Sequence, residues 1–240
     1  MQIKSTPKGI IAWCDDLAKG LTLANFTPEY WQTSDAIIGQ SKGRYTTWFV
    51  EYKTQQWVLR HYWRGGLMEK FSKDAYVFTG FNRTRAMGEL VILNTLHQEG
   101  FPVPRPIAAN IERFGIWYRA DLLIELVNGA DDLVALLTKS QLTKEQWQQL
   151  GKTIAQFHVR GVYHADLNAK NILFANQQFY LIDFDRGELK APNSTWQQAN
   201  LSRLLRSFNK EKTKLPALQF EQENWQQLLS GYNQFMSQNS

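Results

Sequence analysis

The chain has a single cysteine, Cys14, in 240 residues. That excludes an internal disulfide and a thiolate-rich metal site. No run of eighteen apolar residues is present, so no transmembrane helix is expected. The opening residues, MQIKSTPKGIIAWCDDLAKG, lack the long apolar core of a secretory signal, and the expectation is a cytoplasmic chain. Internal repeats and low-complexity tracts are missing, apart from mild glutamine richness. Acidic residues are outnumbered, 22 Asp and Glu against 27 Lys and Arg, giving a net charge of +5. A basic balance favours anionic partners such as a nucleotide, an anionic sugar or lipid, nucleic acid or a membrane surface, without choosing among them. No nucleic-acid module is recognisable, so no nucleic-acid partner is expected. What remains is an ordinary apolar content with nine tryptophans, and a length that fits one compact protein or two small lobes.

The informative stretch is 158–187, HVRGVYHADLNAKNILFANQQFYLIDFDRG. Apolar runs at 171–174 and 179–182 flank the polar stretch 175–178, which is a hairpin pattern. A hairpin brings Asn171 and Asp183 to the same end of a ribbon, with Asp166 on the loop that enters it. Oxygen ligands converging on a short rigid hairpin suit a hard cation such as Mg²⁺, which takes few protein ligands and leaves positions for phosphate. Asp166, off the metal, is left to accept a proton. The order His164-Ala-Asp166-Leu-Asn-Ala-Lys-Asn171, then Asp183-Phe184-Asp185, matches the protein-kinase signature of a catalytic loop followed by D-F-x.

Upstream, 27–31 has the form of an N-cap, a proline at the first helical position and a short helix; its aromatics read as packing. Residues 44–52 and 56–63 are rich in aromatic and β-branched side chains around a polar turn at 53–55, and form a strand pair. Before them, Gly39 and Gly43 either let backbone N–H groups approach phosphate or make an ordinary hairpin turn. Arg60 stands where the kinase strand carries its phosphate-contacting lysine; it keeps the charge with a different geometry, the alternative being an exposed strand-end arginine. A helix is expected over 82–99, stopped by GFPVPRP. On it Glu89 is the candidate partner of Arg60, and Glu99, at the helix end, is the competing choice. Arg83 and Arg85 sit near the helix start, where the macrodipole disfavours cations; they point to an anionic partner or to a neighbouring carboxylate. Two further strands are expected at 116–120 and 121–127. Asn128-Gly129 then makes a break between lobes, with Glu125–Val127 as a hinge whose backbone pairs with adenine. Helices follow at 131–137, at 143–158 (Thr143 to Gln146 has capping-box form), at 196–208 and at 225–236. The basic residues of 203–214 form a solvated face or attract an acidic surface such as anionic lipid.

Taken in order, the strand pair, the helix glutamate, the break and the catalytic loop resemble a small two-lobed kinase. The stretches LRHYWRGGL (59–67), TRA (84–86), GFPVPRP (100–106), YHADLNAKNIL (163–173) and DFDRG (183–187) are similar to those of the lipopolysaccharide-core kinases of Gram-negative bacteria. The resemblance implies an α+β, protein-kinase-like fold. Residues 1–127 would form an N-terminal lobe of antiparallel sheet with one main helix, and 128–240 a mostly helical C-terminal lobe. It implies ATP and Mg²⁺ as cofactors, with Asp166 as proton acceptor and Asn171 and Asp183 as metal ligands. Arg60, Glu89, Gly39, Gly43, Glu125, Val127 and Lys170 are then nucleotide contacts, Lys170 meeting phosphate or an acidic sugar. His164 is read as a support of the loop backbone. The implied acceptor is a 3-deoxy-D-manno-octulosonic acid (Kdo) residue on lipid A, phosphorylated at its 4-hydroxyl by an enzyme peripheral to the cytoplasmic face of the inner membrane. Arg64, Arg83, Arg85 and Arg186 are the arginines expected near such an anionic acceptor. Two departures from general kinases argue against a protein substrate: Asp183-Phe-Asp replaces D-F-G, and no A-P-E segment follows. The rival readings are a heptose or small-molecule phosphotransferase of the same fold, a pseudokinase that binds without turnover and, third, a basic nucleic-acid binder, for which no module is recognised.

Overall fold

In the computed structural model of the chain, residues 1–42, 45–64 and 74–239 are described. The chain divides into two compact units, Met1–Gly100 with Pro104–Leu126, and Phe101–Val103 with Val127–Ser240. Phe101–Val103 leave the first unit because the Phe101 ring packs edge-on to Phe157, 4.9 Å between centroids, and the Pro102 carbonyl accepts from Leu181 N–H at 3.0 Å.

The first unit is built on an antiparallel sheet. Its strands are β1 (Gln2–Thr6), β2 (Gly9–Trp13), β3 (Ile37–Lys42), β4 (Thr46–Tyr52), β5 (Gln55–His61), β6 (Tyr76–Val77), β7 (Pro106–Phe114) and β8 (Trp117–Glu125). Among the described residues their order is β1-β2-β7-β8-β5-β4-β3, with β6 paired to β8. Alternation along β5 sends Trp57 and Leu59 to one face, with Val58 and Arg60 on the other. The apolar face is covered by the segment between β2 and β3, including α1 (Pro28–Thr33); Trp57, Leu59 and Val50 pack with Leu21, Phe26 and Trp31. Helix α2 (Arg85–Gln98) packs against β7 and β8, burying Glu89, Leu90, Leu93 and Leu96 and leaving Val91 outside.

The structure departs from the sequence reading, or adds to it, in this unit. The first thirteen residues form a hairpin that extends the sheet beyond β7. Strand β7 starts at the last proline of the stop, and the two strands expected at 116–120 and 121–127 are a single one, Trp117–Glu125. Gly39 is a residue of β3 at a bulge, where a Cβ would come within 3.1 Å of the Phe49 ring. Its glycine therefore answers to strand packing; Gly43 lies outside the described residues.

The second unit contains β9 (Asp131–Asp132), α3 (Leu133–Lys139), α4 (Lys144–Val159), β10 (Val162–Tyr163), β11 (Ile172–Ala175), β12 (Gln178–Leu181), β13 (Glu188–Leu189), α5 (Ser194–Lys214) and α6 (Gln222–Gln238). The capping box opens α4: Thr143 N–H donates to Gln146 Oε1 at 2.8 Å, and Gln146 N–H to Thr143 Oγ1 at 3.2 Å. Helices α4 and α6 touch through glycines, since a Cβ on Gly151 would sit 1.9 Å from the Leu228 carbonyl oxygen. Trp147, Leu150, Ile154, Phe157, Leu201, Leu204, Phe208 and Leu228 form the core. Hairpin β11–β12 turns on Asn176 and Gln177, both at positive φ (49° and 60°), as a two-residue primed turn requires. Helix α5 is longer than the expected 196–208, and the extra length matters to the site.

Candidate active site

The catalytic loop is held by its own side chains. His164 Nε2 lies 3.0 Å from the Ile182 carbonyl, and Asp166 N–H donates to His164 Nδ1 at 3.2 Å. A nitrogen that accepts carries no proton, so the ring is the neutral Nε2–H tautomer. Burial holds its pKa below the usual histidine range. One buried imidazole thus ties the backbone at Asp166 to the strand end that leads into Asp183. Helix α5 grips the same point: Asn200 donates Nδ2–H to the His164 carbonyl at 3.0 Å and accepts from His164 N–H at 3.4 Å.

Asn168 organises the next turn. Its Oδ1 accepts from Lys170 N–H at 2.9 Å and Asn171 N–H at 3.2 Å, capping the short 3₁₀ turn Ala169–Asn171. Its Nδ2 donates to the Asp166 carbonyl and to Asp166 Oδ2 at 3.0 and 3.1 Å. Asn171 donates Nδ2–H to that carbonyl as well, at 3.0 Å. With the amide nitrogen so committed, the Asn171 Oδ1 is oriented as an acceptor. Ile182 N–H donates to the Asn171 carbonyl at 3.0 Å, which sets Asp183 next to Asn171 along the hairpin. Asp183 is in the left-handed region at φ 63°, which Asp tolerates better than most residues and which is a form of strain found at functional sites.

An amide oxygen and a carboxylate at one hairpin end fit Mg²⁺, a hard ion that keeps waters and phosphate oxygens for the rest of its shell. Among the described residues no group of three or more His, Cys, Asp or Glu side chains could hold a metal, so a ligand-rich site of the zinc type is not offered. The turn after Asp183 is closed by Gly187 N–H on the Phe184 carbonyl at 2.8 Å, with Arg186 at φ 56°. Positive φ falls on Asp183 and Arg186 and not on Asp185, so the third position of Asp-Phe-Asp has no conformational need for glycine.

The first unit contributes a separate cluster. The Arg60 Nη2 pairs with Glu89 Oε2, a carboxylate with no exposed side-chain surface. Tyr62 completes it, donating to Glu89 Oε2 at 2.5 Å and accepting from Arg60 Nη2 at 3.1 Å. Burial, then the charge of Glu89, pushes the Tyr62 hydroxyl well above its usual pKa, so it stays protonated and donates. Arg85 is held by the Tyr76 hydroxyl at 2.5 Å and lies over the rings of Tyr76 and Tyr62, so aromatic groups accompany it. Glu125 closes β8, its N–H bonded to the Arg105 carbonyl at 2.9 Å and its carboxylate 3.5 Å from Arg105 Nη2; Val127 opens the second unit. Lys170, assigned to phosphate or an acidic sugar, pairs with Glu211 of α5 at 3.3 Å, its side chain about half exposed.

A sequence model of the lipopolysaccharide kinase (Kdo/WaaP) family matches residues 28–232. The chain belongs to this family. Its relatives include the 3-deoxy-D-manno-octulosonic acid kinase of Mannheimia succiniciproducens, 48% identical over 191 residues that cover 76% of this chain and 79% of that protein. The enzyme of the same name from Vibrio parahaemolyticus is 44% identical over 200 residues, 82% of this chain and 84% of its own. Among solved structures, WaaP in complex with acyl carrier protein aligns with a TM-score of 0.58 at 11% identity, over 93% of this chain and 88% of that one. The Rio2 kinase of Chaetomium thermophilum, as its ADP/Mg²⁺-phosphoaspartate complex, aligns with a TM-score of 0.50 at 16% identity, over 95% and 82%. At those identities the structural likeness shows the fold, which is α+β and protein-kinase-like.

In this Kdo/WaaP-family chain, sequence reasoning missed Tyr62, Asn168, Asn200, Ser207 and Glu211, and read Arg203 only as part of a basic face. Asn168 and Tyr62 each stand two residues from a group already singled out and were within reach of a local reading. The other four lie on α5, 36 to 41 residues from the loop groups they hold, their only signal a polar stripe at helical spacing.

Proposed function

We propose that the chain transfers the γ-phosphate of ATP to the 4-hydroxyl of a Kdo residue on lipid A, working at the cytoplasmic face of the inner membrane. The observation that carries the reading is the stitched hairpin, in which His164, Asn168 and Asn171 fix the Asp166 backbone beside the Asp183 turn. The names of the relatives supply the sugar. Phosphoryl transfer asks a protein mainly for positioning and charge stabilisation. Asp166, its side chain about half exposed, receives the acceptor hydroxyl and takes its proton as the new P–O bond forms. Asn171 and Asp183 would hold Mg²⁺, which when bound neutralises charge developing on the phosphates. Arg60, fixed by Glu89 and Tyr62, reaches the α- and β-phosphates through its planar fork. The hinge segment 125–127 receives adenine.

Purified full chain, labelled ATP and a panel of Kdo–lipid A, heptosylated core and protein acceptors test the reading. Label should enter Kdo–lipid A at O4, located by NMR of the product, and chelation of divalent cations should abolish transfer. Label on heptose alone would overturn the acceptor while leaving the kinase. Failure with every acceptor would overturn both. Co-sedimentation with vesicles containing anionic lipid tests the membrane contact, and equal recovery with neutral vesicles counts against it.

A further inference from the structure

Helix α5 faces the catalytic loop with Asn200, Arg203, Ser207 and Glu211, spaced three, four and four residues apart and so aligned on one side of the helix. Asn200 brackets the His164 backbone, Ser207 Oγ accepts from Ala169 N–H at 3.1 Å, and Glu211 pairs with Lys170. Three members of the stripe therefore hold the loop in place. Arg203 differs from them: its Nη1 lies 3.6 Å from Asp166 Oδ1, within ion-pair range but beyond a hydrogen bond. Both side chains are substantially exposed, 44% for Arg203 and 54% for Asp166. A guanidinium carries five N–H donors in a flat fork that matches a carboxylate two-point to two-point. A loose contact with one Asp166 oxygen leaves most of that fork unsatisfied.

We propose that Arg203 binds the carboxylate of the acceptor sugar and so determines specificity for an acidic sugar. The inference rests on the proposed function, in which the acceptor is Kdo. In the ring of a 2-ulosonic acid the carboxylate is on C2 and the 4-hydroxyl on C4, two ring positions away. When that hydroxyl is bound to Asp166, the carboxylate falls within one side-chain length of it, and Arg203 is a cation within that reach. Asn200 and Ser207 anchor the same loop on either side of Arg203 along the helix, so the spacing between base and cation is set by two rigid elements. A neutral sugar offers no second anion to the fork.

The test is a two-by-two comparison: wild type and Arg203→Gln, each with Kdo–lipid A and with the derivative whose Kdo carboxylate is converted to the carboxamide. For wild type, the carboxylate acceptor should be favoured by about ten- to a hundredfold in kcat/KM, the worth of a charge-assisted hydrogen bond. Most of that difference should appear in KM. Arg203→Gln should lose the preference, so that the two acceptors become equal in kcat/KM, and should keep its KM for ATP; Arg203→Lys should restore part of the preference. Equal losses on both acceptors would reduce Arg203 to a support for Asp166 and overturn the proposal, as would an intact preference in Arg203→Gln. Failure of the underlying function reads differently: wild type then phosphorylates neither acceptor, and the inference falls with it.

Discussion

Asp166 is half exposed, and its own N–H and carbonyl are bonded to His164, Asn168 and Asn171, so an isosteric amide can replace its carboxylate while the backbone stays held. Asp166→Asn should melt within a degree or two of wild type and bind nucleotide normally. Turnover should drop by ~10²–10⁴, the usual worth of a general base. Turnover within threefold of wild type would remove it from the mechanism. The histidines carry the pH response. His158 is buried against the Tyr232 hydroxyl at 2.9 Å, and burial depresses its pKa to about 4; unfolded, it titrates near 6.5. Between those values the unfolded chain binds a proton that the folded chain refuses, so stability falls as pH drops through that window, by up to ~3 kcal/mol. His61 behaves oppositely. Burial pulls its pKa down, but the hydrogen bond and charge of Asp121 at 2.6 Å, with Asp74 at 3.5 Å, raise it overall. Its contribution is complete below about 6.5 and is lost as pH rises through its folded value. Melting curves from pH 4 to 8 should show His158→Asn flattening the acid limb, and an unchanged acid slope in that variant would refute the assignment.

At the scale of elements, the Arg60–Tyr62–Glu89 cluster is what joins β5 to α2 electrostatically. Arg60→Ala leaves the Glu89 carboxylate buried with Tyr62, a change that costs about 3–5 kcal/mol when a buried ion pair loses one partner. It should therefore lower both the melting temperature and the activity, by far more than Arg64→Ala does. Arg60→Lys restores the charge without the fork: recovered stability with poor activity would show that guanidinium geometry serves the phosphates, and full recovery of both would show that a point charge suffices. The catalytic loop and the Asp183 turn were legible in the sequence because their chemistry is written within thirty consecutive residues. The pairing of Arg60 with Glu89 was legible as well, since helical spacing puts Glu89 with Leu90, Leu93 and Leu96 on the buried side of α2. The polar stripe of α5 was not, because its partners are set by tertiary packing, and the apolar face with Leu201, Leu204 and Phe208 dominated the periodicity. Strand β7 was hidden behind the prolines of 102–106, and the β1–β2 hairpin by its short, weakly alternating strands.

At the scale of the whole molecule, the basic residues of 203–214 are less available than their number implies. Lys212 pairs with Glu221 and Lys214 with Glu211, while Arg203 stands beside Asp166. The face read from 203–214 as a lipid-attracting surface is thus partly neutralised. Attraction to an anionic glycolipid should still be measurable. Activity on Kdo–lipid A should decline as salt is raised, since exposed charges are screened over about 8–10 Å at physiological ionic strength. Free Kdo should be the poorer acceptor, because remote binding energy helps to place the hydroxyl. Equal rates on free and lipid-linked Kdo, unaffected by salt, would contradict both expectations. The turn that follows Asp183 has a consequence for control. Phe184 is fully buried, its ring against Phe157 at 6.1 Å and His164 at 4.9 Å. The short chain beyond it is pinned by the β10–β13 pairing and by Lys190 N–H on the Gly161 carbonyl at 2.9 Å before α5 begins at Ser194. A kinase that is silenced by swinging this phenylalanine outward needs slack in that chain. Here an outward swing of Phe184 would have to break the β10–β13 pairing and the Lys190 bond and open the core it shares with Phe157 and His164.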